Sequence, residues 1–180
     1  MVDKNKIDKI SVLEANKKIH ELGLVFQSFG NVSGLYGDTC LIKPSGVDLN
    51  KLNELEIVAV NIKTNKIKEG NLKPSSDTPT HIALYQEFSE IGGIVHTHSL
   101  YATSWAQSAK EVPCLGTTHA DYWNGPVPIT RHLSKEEIIK DYEKNTGKVI
   151  IEKLKELSLS PIDCPGILVP SHGPFAWGKD

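Results

Sequence analysis

Short apolar runs rich in β-branched residues, cut apart by tight turns, constrain this 180-residue chain more than any other feature. Residues 39–43 (Thr-Cys-Leu-Ile-Lys) read as a strand ended by Pro44-Ser45-Gly46. Residues 56–62 read as a buried strand, followed by a turn at Thr64-Asn65 and a short return strand to Gly70. A glycine-broken turn at Phe29-Gly30 leads into another strand. Residues 92–98 predict a further one, and residues 166–170 the last, running into Ser171-His172-Gly173-Pro174-Phe175. Helical patterns alternate with these strands. Ile7, Ile10, Leu13, Ile19 and Leu22 lie at near-helical spacing, with Gly23 as the stop. A second helix opens at residues 74–81, capped by Asp77 or Thr78 with Pro79 in its first turn, and runs to about Phe88. Residues 99–109 predict a helix, 116–124 a polar loop, and 134–157 a long helix containing Gly147. Neighbouring strands joined by short turns favour an α/β fold with a central mixed or antiparallel sheet flanked by helices, not a pure doubly wound fold.

The length suits one domain over residues 1–180 and is enough to bury a core. With 39% hydrophobic and 23% charged residues, the chain has a globular composition rather than a disordered one. A net charge of −2 argues against nucleic acid or an anionic membrane as partner, while a small anionic substrate needs only a local site. Cys40, Cys114 and Cys164 are odd in number and widely spaced, which speaks against a disulfide framework and for a reducing, cytoplasmic setting. The charged N-terminus shows no signal-peptide pattern, and no apolar run approaches a membrane span.

Among seven histidines, His96 and His98 are expected side by side at the end of one strand, because side chains two apart in a strand share a face. His172 follows another apolar strand and supplies a third nitrogen. Three histidines leave a coordination position open, the pattern of catalytic rather than structural zinc. An isolated histidine is more often a surface or hydrogen-bonded group, and His20, His81 and His132 are placed in that class.

Three small polar turns are candidates for an anion: Gly30-Asn31, Ser45-Gly46 and Ser75-Ser76, with Lys43 adding charge. Ser75-Ser76 precedes a helix start, where exposed N–H groups and the helix dipole favour negative charge. Each turn taken singly has a simpler reading, since Gly, Ser and Asn populate any turn. Asp77 is either a helix cap or a carboxylate facing a metal. Asp121, with His119 nearby, either moves protons or is solvated.

Six blocks taken together resemble the class II aldolase/adducin superfamily. They are Gly30-Asn-Val-Ser, Ile42-Lys-Pro-Ser-Gly-Val, Lys73-Pro-Ser-Ser-Asp-Thr-Pro-Thr-His, Gly92-Gly-Ile-Val-His-Thr-His-Ser, Gly116-Thr-Thr-His-Ala-Asp-Tyr and Ser171-His-Gly-Pro-Phe-Ala-Trp-Gly. They occur in order over nearly all of residues 24–179 and are most similar to the L-ribulose-5-phosphate 4-epimerase branch. The resemblance implies a three-layer α/β/α fold and a zinc-type divalent metal on His96, His98 and His172, with Asp77 close to or on it. Mn2+ and Co2+ are alternatives to zinc. It implies that Gly30, Asn31, Lys43, Ser45, Gly46, Ser75 and Ser76 line the site for a sugar phosphate. It makes Asp121 a catalytic proton donor or acceptor serving a neighbouring subunit of a homotetramer. The implied reaction cleaves the C3–C4 bond of the ketose phosphate into a dihydroxyacetone enediolate and glycolaldehyde phosphate. The aldehyde turns, and the bond re-forms with C4 inverted. Arabinose and ascorbate catabolism both accommodate such a step.

Position 77 is aspartate, as in the epimerases, whereas the related fuculose-phosphate aldolase has glutamate in the matching place. The epimerases continue into a C-terminal helical segment carrying a catalytic tyrosine, the partner of Asp121. No residue here matches it, and Tyr101, Tyr122 and Tyr142 lie inside other motifs. The expectation is therefore a single domain lacking that segment. Two other readings stay open: a class II aldolase that releases its products, and a catalytically silent, adducin-like module. A purely structural zinc domain fits poorly, because three histidines leave the metal open and no thiolate accompanies them.

Overall fold

The computed structural model describes residues 7–180. Helix α1 spans Lys9–Glu21, followed by β1 (Asn31–Tyr36), β2 (Thr39–Ile42), β3 (Val58–Asn61) and β4 (Ile67–Glu69). Helix α2 covers Thr78–Glu87, β5 Gly93–His96, α3 Leu100–Gln107 and α4 Thr117–Tyr122. Helices α5 (Lys135–Ile139) and α6 (Tyr142–Glu156) precede β6 (Gly166–Val169) and β7 (Gly173–Gly178).

The seven strands form one sheet in the order β4-β3-β2-β1-β5-β7-β6, and each neighbouring pair is antiparallel. The sheet reading of the sequence holds, in its antiparallel form, and the cause is local. Tyr36 pairs with Thr39, so Gly37-Asp38 is a two-residue hairpin loop. Gly37 takes the positive φ of +59° that such loops demand.

Side chains alternate across the sheet and feed two cores. Cys40, Ile42, Val58, Val60, Ile94, Ile167 and Phe175 pack on one side with Ile82 and Leu84 of α2 and Ile150 and Leu154 of α6. Leu41, Ala59 and Val32 face the other side, against Val12 and Ile19 of α1. Helices therefore cover both faces, giving three layers. The start of α1 is set by a capping box between Asp8 and Ser11. Its end is set at Gly23, whose N–H donates to His20 O while Leu24 N–H donates to Ile19 O. Among the described residues no helix is long and apolar enough to cross a membrane.

Four local expectations need correction. The long helix expected over 134–157 is two helices, parted at Asp141 with φ 53° and ψ 49°. At the break the Asn145 amide donates to the carbonyls of Lys140 at 2.6 Å and Glu137 at 3.1 Å, which satisfies the end of α5 locally. The loop expected over 116–124 contains α4. No α4 residue is buried, so hydrophobic periodicity had no stripe to report. Strand β5 ends at His96, so His98 lies beyond it rather than on it. Finally, β6 is not the last strand. The Ser171-His172 turn, with Ser171 at φ 60°, reverses the chain into β7.

Candidate metal and anion site

The site is assembled where β1, β5 and β7 lie side by side. Asn31 of β1 is in register with His96 of β5, and His96 with Phe175 of β7. The sheet thus brings three distant segments to one end. His172, just before β7, and His98, just after β5, arrive from the two flanking turns. The imidazoles of His96 and His172 have ring centroids 4.6 Å apart, and those of His98 and His172 5.5 Å. The Nε2 atoms of His96 and His98 stand 3.0 Å apart. One ligand atom from each of the three lies within 4.8 Å of the others. Strand alternation is not what pairs His96 with His98; the turn after β5 does.

His96 is 1% exposed, and its Nδ1 meets the carbonyl of Pro174 at 2.9 Å. A carbonyl only accepts, so Nδ1 carries the proton and Nε2 offers its lone pair to the cluster. Burial holds His96 down to about pKa 4, against the opposing pull of Asp77. Burial and then the charge of His96 hold His172 down to about 4 as well. Both imidazoles are neutral at neutral pH, the form that binds a metal. The Nδ1 of His172 is buried with no protein partner. The donor set and the neutral state of these two imidazoles fit a divalent cation.

Asp77 occupies the cap position of α2, yet its side chain does not cap the helix. It accepts from Asn31 Nδ2 at 2.6 Å instead, and the same amide donates to Ser75 Oγ at 3.1 Å. Burial alone would push the Asp77 carboxyl up. The surrounding histidines and the Asn31 amide outweigh that and hold it below the ordinary carboxylate range. Asp77 stands outside the group of three mutually close ligands.

A cavity of about 390 Å³ opens over the triad. Asn31, Asp77, His96, His98 and His172 line it, and so do all three small polar turns. Lys43 lies at its floor, 1% exposed, donating to the carbonyls of Ser28 at 3.0 Å and Pro44 at 3.2 Å. Burial lowers its pKa, while Asp77 pulls it back up. The Ser45 and Ser75 turns are bound to each other, Ser45 N–H donating to Lys73 O and Ser75 N–H to Lys43 O. Gly30 admits no side chain: at φ +78°, a Cβ there would lie 2.9 Å from His96 O.

Asp121 is the one candidate the fold does not bring to this cavity. It sits exposed on α4, where His119 Nε2 donates to Gly125 O at 2.8 Å. Four residues lining the cavity escaped sequence reasoning as site residues: Ser28, Phe29, Tyr142 and Glu143. Tyr142 and Glu143 reach it from the start of α6, just after the break at Asp141. His81 is hydrogen-bonded, in keeping with the class in which the sequence placed it, but its burial beside the site was not foreseen. It is fully buried, with Nδ1 at 2.7 Å from Ser33 Oγ, which in turn meets Tyr85 OH at 2.7 Å. Burial pushes His81 down to about pKa 4 against the pull of Asp77. The usable signal was spacing, since position 81 is one helical turn after Asp77.

Residues 10–180 match the family model described as the Class II Aldolase and Adducin N-terminal domain. The chain belongs to the class II aldolase and adducin family. Within that family it is 51% identical over 174 residues to "L-ribulose-5-phosphate 4-epimerase UlaF" of Salmonella typhi. The same figures hold for the protein of that name from Salmonella paratyphi B. Each alignment covers 96% of this chain and 75% of the relative. Solved structures give the same fold. An L-fuculose 1-phosphate aldolase superposes with a TM-score of 0.76 at 22% identity, covering 96% of this chain and 75% of that one. A sugar-phosphate aldolase from Thermotoga maritima gives 0.71 at 17% identity, covering 96% and 84%. The class II aldolase likeness at these identities concerns the fold. It is consistent with the antiparallel sheet and its two helical layers.

Proposed function

We propose that this protein is a metal-dependent epimerase that interconverts L-ribulose 5-phosphate and D-xylulose 5-phosphate by breaking and re-forming the C3–C4 bond. One observation carries the reading. A chain 51% identical to curated epimerases keeps three clustered histidines beside a cavity that also holds a buried lysine and three small polar turns.

His96, His98 and His172 would hold the ion, zinc by preference for three imidazoles and an open position, with Mn2+ and Co2+ as alternatives. Bound there, such an ion supplies Lewis-acid polarisation of the ketose carbonyl. The remaining work falls to the protein. Lys43, Asn31 and the Gly30, Ser45-Gly46 and Ser75-Ser76 turns bind the phosphate and keep the aldehyde fragment in the cavity while it rotates. Asp77, bound by the Asn31 amide, orients the histidine cluster rather than shuttling protons. Asp121 of a second copy takes and returns the C4 hydroxyl proton, since no Asp121 lines the cavity of its own chain. The electron pair of the broken C3–C4 bond stays on the three-carbon fragment as the enediolate, and attack on the other face of the aldehyde inverts C4. Assembly as a homotetramer with sites between subunits, in the cytoplasm, belongs to this reading. It is supported by large exposed apolar side chains such as Leu115 at 88%, Tyr101 at 82% and Tyr122 at 81%.

The test is incubation of the 180-residue protein with L-ribulose 5-phosphate, with zinc or with a chelator, and assay of D-xylulose 5-phosphate. Metal-dependent product without free aldehyde is the expected result. Accumulating glycolaldehyde phosphate would assign a class II aldolase instead. No turnover by folded, metal-loaded protein would leave a binding module.

A further inference from the structure

The three histidines are not held alike. His96 is fixed by its Nδ1 bond to Pro174 O and by stacking on Phe175, centroids 4.2 Å apart and planes 18° from parallel. His98 faces His96 and stacks on Phe29 at 6.1 Å. His172 sits in the turn between β6 and β7, and its Nδ1 is buried without a hydrogen-bond partner. Metal-ligating histidines ordinarily have that second nitrogen tied down. Here the ring is bounded by other rings: His96, His98, Phe175 at 5.7 Å and Tyr142 at 5.8 Å. Two of those are ligands themselves, and Phe175 already stacks on His96. Tyr142 is the neighbour contributed from outside the sheet.

We infer that Tyr142 is a positioning residue for the metal site, its ring holding the imidazole of His172 in the ligating orientation. This rests on the metal reading proposed above. The fold places Tyr142 with care. Asp141 adopts a left-handed conformation that starts α6 at the cavity. Thr146 Oγ1 donates to Tyr142 O at 3.0 Å, and Thr80 of α2 donates to Glu143 O. Further along α6, Gly147 lets the two helices close up, because a Cβ there would lie 2.8 Å from Ala83 Cβ. Helix α2, which carries Asp77, and helix α6, which carries Tyr142, are thereby locked together beside the triad. An aromatic ring is what this role needs; the hydroxyl is dispensable to it.

The test reads metal binding, not turnover. Co2+ is titrated into the metal-free protein, followed by its visible absorption and by competition with a chelator. Tyr142→Phe is expected to bind within about twofold of the parent. Tyr142→Leu is expected to lose about tenfold or more in affinity, with an altered Co2+ spectrum and unchanged metal-free unfolding. If Tyr142→Leu does not fold, Tyr142→Met replaces it. Leu or Met variants that bind like the parent overturn the inference, as does a Phe variant that loses as much as they do. A parent protein that fails to bind Co2+ overturns the metal reading itself, a distinguishable result.

Discussion

The Asn31 amide donates to the Asp77 carboxylate over 2.6 Å, joining the first residue of β1 to the cap position of α2 across 46 residues of sequence. A side chain that local rules assign to helix capping is turned instead into the cavity beside the histidines. The bond has a direct consequence. Removing it in Asn31→Leu leaves a buried carboxylate without its donor. The Asp77 carboxyl is then expected to rise, and metal affinity to fall by roughly 10–100-fold, as for other partners that orient ligands. Isothermal titration with zinc measures this, and an unchanged affinity would show that the pair is structural only.

Acid should weaken the metal-free protein in a defined window. His81 is held down to about pKa 4 by burial, whereas an unfolded histidine titrates near 6.5. Between those values the unfolded chain binds more protons, so stability is full above about pH 6.5 and falls as pH drops towards 4. Each such group contributes a slope of up to ~1.4 kcal/mol per pH unit, and His96 and His172 act in the same direction. Urea unfolding at a series of pH values gives the total slope. His81→Gln should reduce it by about one proton; an unaltered slope would mean that His81 does not titrate with folding.

Gly147→Ala should destabilise the protein although alanine is the better helix former. The helix-propensity gain is at most ~1 kcal/mol. Against it stands a Cβ 2.8 Å from Ala83 Cβ and 3.2 Å from Thr80 O, which forces α6 away from α2. Overpacking of this kind costs about 1–3 kcal/mol, so a net loss is expected by chemical denaturation. The same displacement would move Tyr142 and lower Co2+ affinity. A stabilised variant would show that the helices have room to separate.

The cysteines should divide into one reactive thiol and two silent ones. Cys114 is exposed, while Cys40 and Cys164 are buried. Burial pushes the Cys40 thiol up to about 12, far from the thiolate form that reacts. Titration with a thiol reagent at neutral pH should modify Cys114 quickly and the other two only after unfolding. Rapid reaction of Cys40 in the native protein would contradict the packing of this core.

Much of the architecture was legible before any coordinates. β-branched runs separated by short turns pointed to a mixed or antiparallel sheet, because turn and strand preferences act within a few residues. The helix end at Gly23 was readable for the same reason. The residues of the site were also nameable from their chemistry, as three histidines, a lysine and small polar turns. Long-range packing decided the rest. It brought Tyr142 and Glu143, just after the break at Asp141, to the cavity. It drew Asp77 from its helix cap to Asn31, and it buried His81 behind Ser33. It also left Asp121 away from the cavity of its own chain. Sequence by itself determines what each short segment prefers and which side chains are available for chemistry. Which of those side chains meet is settled by the register of β1, β5 and β7 and the closeness of α2 to α6, since contacts across tens of residues exist only once the whole sheet is closed.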